Sequence, residues 1–154
     1  MPARRTTIVA TANVKQYRET IPHYVGPDDV VLELGCEWGT TSVLLAERAR
    51  ELVATDVSHE CIEQARKKHP GIRFEVLDGF DLSAALALGR DFTKIYIDIS
   101  GLSGYRSLLD AIALVQGYAS VFRPGAIVIK SQSLRQFIRR CVAWPPATSP
   151  RAER

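Results

Sequence analysis

The chain has 154 residues, 46% of them hydrophobic and 24% charged, with a formal net charge of +3. That length fits one domain with its own core, and the mixture is that of a globular fold, not a fibrous or disordered one. A charge this mild permits a nucleic-acid partner without arguing for one, and no apolar run approaches the ~20 residues of a membrane span. Cys36, Cys61 and Cys141 are odd in number and lack metal-ligand spacing. They read as reduced thiols of a cytoplasmic protein with no metal site. The basic start, Met1 to Thr7, is followed by only a short apolar stretch and makes a poor signal peptide.

In chain order, residues 11–24 carry Val14, Tyr17, Arg18 and Ile21 at helical spacing, and Pro22 with Gly26-Pro27 ends the segment. Val30-Val31-Leu32-Glu33-Leu34 is a first buried strand, closed by the turn Gly35-Cys36-Glu37-Trp38-Gly39 and a helix from Thr40. Leu52 to Asp56 is a second strand. Ser58 is a good N-cap for a helix over 59–68, with Glu60 in its first turn and Lys67-Lys68 in its last, as the helix dipole prefers. A third strand spans 72–76 and is followed by a short helix over 80–88. A fourth strand starts at Lys94 and ends on Asp98. A long helix spans 105–121, the turn Arg123-Pro124-Gly125 follows, and a fifth strand covers 126–130. A last helix occupies 132–142, and residues 143–154 form a tail that cannot continue it.

Strict alternation of short apolar strands with helices predicts an α/β fold: a doubly wound parallel sheet, in order 3-2-1-4-5, with helices on both faces. The whole of 1–154 reads as a single domain with its core over about 12–142. Ligands of such sheets bind at the carboxyl ends of the strands, beside the first. Four acids stand there, Glu33, Asp56, Asp78 and Asp98. Single acids of this kind are often turn or cap residues, but four at one edge, next to a glycine turn, point to a ligand. No GxxxxGK[ST] run is present, and Glu37 stands where a dinucleotide fingerprint wants its second glycine, so pyrophosphate would be repelled. A nucleoside carrying a positive centre fits better. Asp56 can accept from ribose hydroxyls and Asp78 from an adenine amine, while Glu33 and Asp98 suit a sulfonium and an ammonium.

These motifs resemble those of class I S-adenosylmethionine-dependent methyltransferases over about 12–142. The turn matches that family's first motif as Glu33-x-Gly35-x-x-x-Gly39. Asp56, Asp78-Gly79-Phe80, Asp98-Ile99-Ser100-Gly101 and Arg123-Pro124-Gly125-Ala126 match the later ones in register. Glu37, at the usual middle glycine, is the departure. The resemblance implies S-adenosylmethionine as cofactor, held by Glu33, Gly35, Cys36, Glu37, Trp38, Gly39, Asp56, Val57, Asp78, Gly79, Phe80 and Asp98. It also implies an antiparallel pair of strands after the fifth, and no residues are left to form strands six and seven. The fifth strand is then expected to be a sheet edge, which a homodimer, a partner subunit or the tail would cover.

A weaker resemblance, to FtsJ-like RNA 2′-O-methyltransferases, concerns the methyl acceptor. Lys15, Asp98 and Lys130 stand at three places of that family's Lys-Asp-Lys-Glu set, and the Glu is missing. This implies a catalytic role for Lys15, Asp98 and Lys130, with an amine taking the proton of a ribose hydroxyl. Lys130 reads equally as a lysine snorkelling from a sheet edge. Arg135, Arg139, Arg140, Arg151 and Arg154 are candidate phosphate contacts, and Tyr17, Trp38, Phe80 and Tyr105 candidate stacking residues. A small-molecule or protein acceptor, and a non-catalytic cofactor-binding subunit, stay open beside RNA.

Overall fold

The computed structural model describes residues 5–102 and 104–145. Six strands form one sheet: β1 (Thr7–Thr11), β2 (Val30–Leu34), β3 (Glu51–Asp56), β4 (Arg73–Val76), β5 (Lys94–Ile97) and β6 (Ala126–Lys130). All the pairings are parallel, in the order β1-β6-β5-β2-β3-β4. The five expected strands therefore lie in the expected order.

The sixth strand was not expected. Thr7–Thr11 pairs with Ala126–Lys130, residue for residue. It occupies the seat beside β6 that the family resemblance gives to an antiparallel pair, and it runs parallel. Its signal was the β-branched run Thr6-Thr7-Ile8-Val9, which favours a pleated strand. This corrects the expectation that the fifth strand, β6, is an edge awaiting a partner. Among the described residues, the sheet's edges are β1 and β4.

Alternation along the strands sends side chains to two cores. On one face Leu32, Leu34, Ile95, Ile97, Ile127 and Ile129 pack against α5 (Leu82–Ala87), α6 (Leu108–Phe122) and α7 (Gln132–Ile138). On the other, Val31, Ala54, Phe74, Tyr96 and Val128 pack against α1 (Val14–Glu19), α2 (Ile21–Tyr24), α3 (Thr40–Ala46) and α4 (His59–Lys68). Near-continuous apolar strands, buried on both sides, are what a parallel sheet covered by helices requires.

The single helix expected over 11–24 is two. Asn13 caps α1 by accepting from the Gln16 amide at 2.9 Å, while Gln16 Oε1 reaches back to accept from the Ala12 amide, one residue before the cap, at 2.9 Å. Pro22, at the start of α2, has no N–H to continue the ladder, so the chain breaks at Thr20. The last helix stops at Ile138, short of the expected 142. The tail positions 146–154, with Arg151 and Arg154, lie outside the described residues, as does the side chain of Tyr105.

If β1 closes the sheet, a chain lacking Thr7–Thr11 exposes the bare edge of β6. Its Tm is expected to fall by at least about 5 °C, with concentration-dependent association on a sizing column. An unchanged Tm would show that β1 contributes nothing to the fold.

Candidate functional site

The carboxyl ends of β2, β3 and β5, with the loop after β4, surround a cavity of about 600 Å³. Its lining includes Gly35, Glu37, Asp56, Val57, Asp78, Gly79, Phe80, Asp98 and Lys130. Parallel strands all aim their carboxyl ends the same way, and β2 is where the chain's order reverses, so the cavity sits at the switch point.

The turn after β2 is shaped by steric necessity. Gly35 has φ +84°, and a Cβ there would lie 2.1 Å from the Asp98 carbonyl oxygen, inside any permissible contact. The Gly35 and Cys36 amides both donate to the Thr55 carbonyl at 2.8 Å, fixing the turn to β3. Glu37 is left-handed at φ +50°, a conformation costly for a residue with a side chain. Its amide donates to Asp56 Oδ2 at 2.9 Å, so the turn is tied to the second acid of the edge. Gly39, at φ +87°, has no room either, since a Cβ would meet His69 and Phe74 at 2.9 Å.

The acids are oriented by backbone amides. Asp56 accepts from the Glu37 amide through Oδ2 and from the Ser58 amide through Oδ1, both at 2.9 Å. Asp78 Oδ1 accepts from the Phe80 amide at 3.0 Å. Asp98 Oδ1 is 2.6 Å from Lys130 Nζ, an ion pair at the ends of adjacent elements. Between the acids the walls are apolar. Val57 and Phe80 line the cavity and remain 67% and 50% exposed, so their apolar surfaces are open to a ligand.

Glu33 lies behind the turn. It is fully buried in β2, and Ser42 Oγ donates to its Oε2 at 2.5 Å. Burial pushes its carboxyl up from the ordinary 4.5 to about 7, against the Ser42 hydrogen bond and with help from the charge of Asp98. Cys36 is buried too, its thiol pushed up chiefly by burial, so it serves the turn through its backbone.

Of the other expected site residues, Trp38 lies outside the lining, 49% exposed with Lys68 Nζ 4.5 Å over its ring. Gly39 acts as the N-cap position of α3. Lys15 is not brought to the cavity. Its side chain is 85% exposed on α1, 3.9 Å from Glu19. Asp98 and Lys130 meet, so the lysine–aspartate–lysine set is only partly assembled. Tyr17, expected to be available for stacking on a base, is fully buried. Arg139 and Arg140 are exposed, and they and Arg135 lie outside the cavity lining. Ile99 and Ser100 of the fourth-strand motif line the cavity as well, and sequence reasoning missed Ser58, Cys61 and Leu77 as lining residues. Each adjoins or shortly follows a motif acid, and that proximity was the available signal. No group of side chains suited to a metal ion occurs among the described residues, and no described helix is long and apolar enough to cross a membrane.

The sequence matches the methyltransferase domain family over residues 31–125. No curated protein sequence matches the chain. Its fold is similar to that of DesVI from Streptomyces venezuelae, at a TM-score of 0.58 and 19% identity, covering 76% of this chain and 48% of that one. It is similar also to a sugar N-methyltransferase from a Streptoalloteichus species, at a TM-score of 0.59 and 18% identity, covering 79% and 48%. A third is an amino pentose methyltransferase from Micromonospora echinaspora, solved with S-adenosylmethionine bound, at a TM-score of 0.53 and 21% identity, covering 76% and 47%. The chain thus spans about half the length of these structures.

Glu33 supplies a test of the site's electrostatics. Its native pKa of about 7 exceeds the ordinary 4.5, so across that window the native state keeps a proton that the unfolded chain has lost. Wild-type stability therefore falls as pH rises through the window, and the penalty, on the order of 3 kcal/mol, is fully present above it. Replacing Glu33→Gln removes this slope. Thermal unfolding from about pH 5 to about pH 8 should show the variant gaining on the wild type. Parallel curves would mean that Glu33 does not titrate in the native state.

Proposed function

This chain belongs to the methyltransferase domain family, and from that premise we propose that it transfers the methyl group of S-adenosylmethionine to a small-molecule acceptor. The observation that carries this reading is the convergence of Asp56, Asp78 and Asp98 on one cavity beside the Gly35 turn. These are acceptors, not the cationic or amide cradle that a phosphate needs. Asp56 holds the ribose hydroxyls and Asp78 the adenine amine, with the base lying on the exposed faces of Val57 and Phe80. Gly35, having no Cβ, lets the amino-acid end pass close to the backbone toward Asp98.

The cofactor supplies an electrophilic methyl on a sulfonium, whose S–C bond breaks as the acceptor's lone pair forms the new bond. What the chain's own residues contribute is position. Holding donor and acceptor in line accounts for barrier reductions of ~7–11 kcal/mol in favourable cases, without any covalent role for the protein. Lys130, 2.6 Å from Asp98, fixes that carboxylate at the cavity rim and faces the acceptor's side. Its ammonium can hydrogen-bond and orient the acceptor's nucleophilic atom, and the proton that the methylated acceptor releases passes to water.

A small acceptor is supported by two points. The ribose-hydroxyl set is incomplete, because Lys15 stands away from Asp98 and Lys130 on the outer side of α1. Two of the structures of similar fold carry names of enzymes that methylate amino sugars.

Calorimetric titration with S-adenosylmethionine should show binding that Asp56→Ala weakens by more than about tenfold, the loss of hydrogen bonds to a charged acceptor. An Asp56→Ala chain that binds as wild type does would remove the ribose assignment. Tritium transfer from labelled cofactor should go to an amino-sugar fraction, with RNA and protein fractions blank. Label in RNA would restore the ribose acceptor. Binding without transfer to any fraction would leave a non-catalytic cofactor-binding subunit. In the active fraction Lys130→Ala should lower turnover by about 100-fold or more, through lost positioning of the acceptor, while the cofactor still binds.

A further inference from the structure

The loop after β4 carries Asp78, to which the adenine amine is assigned, and most of its hydrogen bonds are its own. Asp78 Oδ1 accepts from the Phe80 amide at 3.0 Å, and the Asp78 carbonyl accepts from the Asp81 amide at 2.9 Å. Asp81 then caps α5 through the Ala84 amide. These bonds close within the loop and the helix it starts, so they fix its shape and not its place. The Leu77 amide, donating to the Asp56 carbonyl at 3.0 Å, anchors the approach to the loop. The loop itself is tied to a distant element by a buried bond from α6, in which the Tyr118 hydroxyl donates to the Gly79 carbonyl at 2.9 Å.

Tyr118 is fully buried, and its ring stacks on Phe122 at a centroid distance of 5.6 Å. Packing alone would be served by a phenylalanine, whereas a hydroxyl taken out of water needs a partner. Burial pushes the phenol's pKa up, and the charges of Asp78 and then Asp81 push it the same way, so the hydroxyl keeps its proton and stays a donor. The carbonyl it meets has a fixed seat. A Cβ at Gly79 would lie 2.8 Å from Ile99 Cδ1 and 3.5 Å from Leu34 Cδ1, so the backbone there rests directly on those side chains.

The Gly79 carbonyl and the Phe80 N–H belong to one peptide unit. In a planar trans peptide these two groups point in opposite directions. Turning the carbonyl inward to Tyr118 therefore turns the N–H outward, where Asp78 Oδ1 accepts it. A carboxylate accepts through both oxygens, so Oδ2 is left for a donor on the ligand. We infer that Tyr118 is a positioning residue for base recognition: by holding the Gly79–Phe80 peptide in one orientation, it aims Asp78 at the adenine amine. Without the hydroxyl the buried carbonyl has lost its donor, the peptide turns to find another, and its amide leaves Asp78. Tyr118 is outside the cavity lining and acts only through that peptide.

This inference rests on the S-adenosylmethionine reading, and the test separates the two. S-adenosylhomocysteine and its purine analogue, in which hydrogen replaces the exocyclic amino group of the base, are titrated by calorimetry. The proteins are wild type, Tyr118→Phe, Asp78→Ala and the double variant. Tyr118→Phe should bind S-adenosylhomocysteine at least about fivefold more weakly, the scale of one hydrogen bond to a charged group. Its affinity for the purine analogue should stay within about twofold of wild type, because that ligand has no amine for Asp78 to accept from. In the Asp78→Ala background, adding Tyr118→Phe should change the affinity for S-adenosylhomocysteine by less than about twofold, since the hydroxyl acts through the missing carboxylate. A purely structural hydroxyl would instead weaken both ligands alike and do so in both backgrounds. That result, or no weakening of either ligand, or a Tyr118→Phe chain that no longer folds, overturns the positioning role while leaving the cofactor reading intact. A wild type that binds neither ligand overturns both.

Discussion

At the end of β2 the chain turns so closely over β5 that a Cβ at Gly35 would lie 2.1 Å from the Asp98 carbonyl oxygen. Two neighbouring parallel strands must diverge at the switch point for a ligand to enter, and the first turn has to cross that opening without filling it. A residue without a side chain does both. Its consequences run outward through the backbone. The Gly35 and Cys36 amides reach Thr55, and the Glu37 amide reaches Asp56, so the first turn sets the orientation of the acid at the end of the next strand.

That arrangement also explains how Glu37 is tolerated at a place where a glycine is usual. Its backbone is left-handed, which costs on the order of 1–3 kcal/mol for a residue with a side chain. The amide so presented is the one that Asp56 needs, and an amide–carboxylate hydrogen bond offsets part of the strain. The acids of the edge are therefore not a loose negative patch. Asp56 and Asp78 are each aimed by an amide, Asp98 is held by Lys130, and Glu33 is sealed beneath the turn with Ser42. A set so fixed reorganises little when a cationic ligand arrives, and preorganisation of that sort is where binding energy is saved.

The N-terminal segment joins the sheet's closure to the site. β1 pairs with β6 up to Thr11 and Lys130, so it ends beside the lysine that holds Asp98. Two residues later Asn13 caps α1, which places Tyr17 edge-on to Tyr96. Thr7–Thr11 and Val14–Glu19 thus act as an outer strand of the sheet and a helix packed on one of its faces.

The amino-acid sequence alone determined the alternation, the order of the five central strands and the four acids at their ends. Those features are written in short-range patterns: apolar runs of strand length, glycines where a turn must be left-handed, and acids at or just past the strand ends. What it could not determine was set by contacts between residues far apart in the chain. Thr7–Thr11 is a five-residue run whose pairing with Ala126–Lys130 no local pattern specifies, and so the closed side of the sheet was legible only in three dimensions. Lys15 and Tyr17, two residues apart on one short helix, both lie away from their expected places for the same reason. Helical rotation put the lysine toward water and the tyrosine against Tyr96, and only the way α1 docks on the sheet decides which of them is buried.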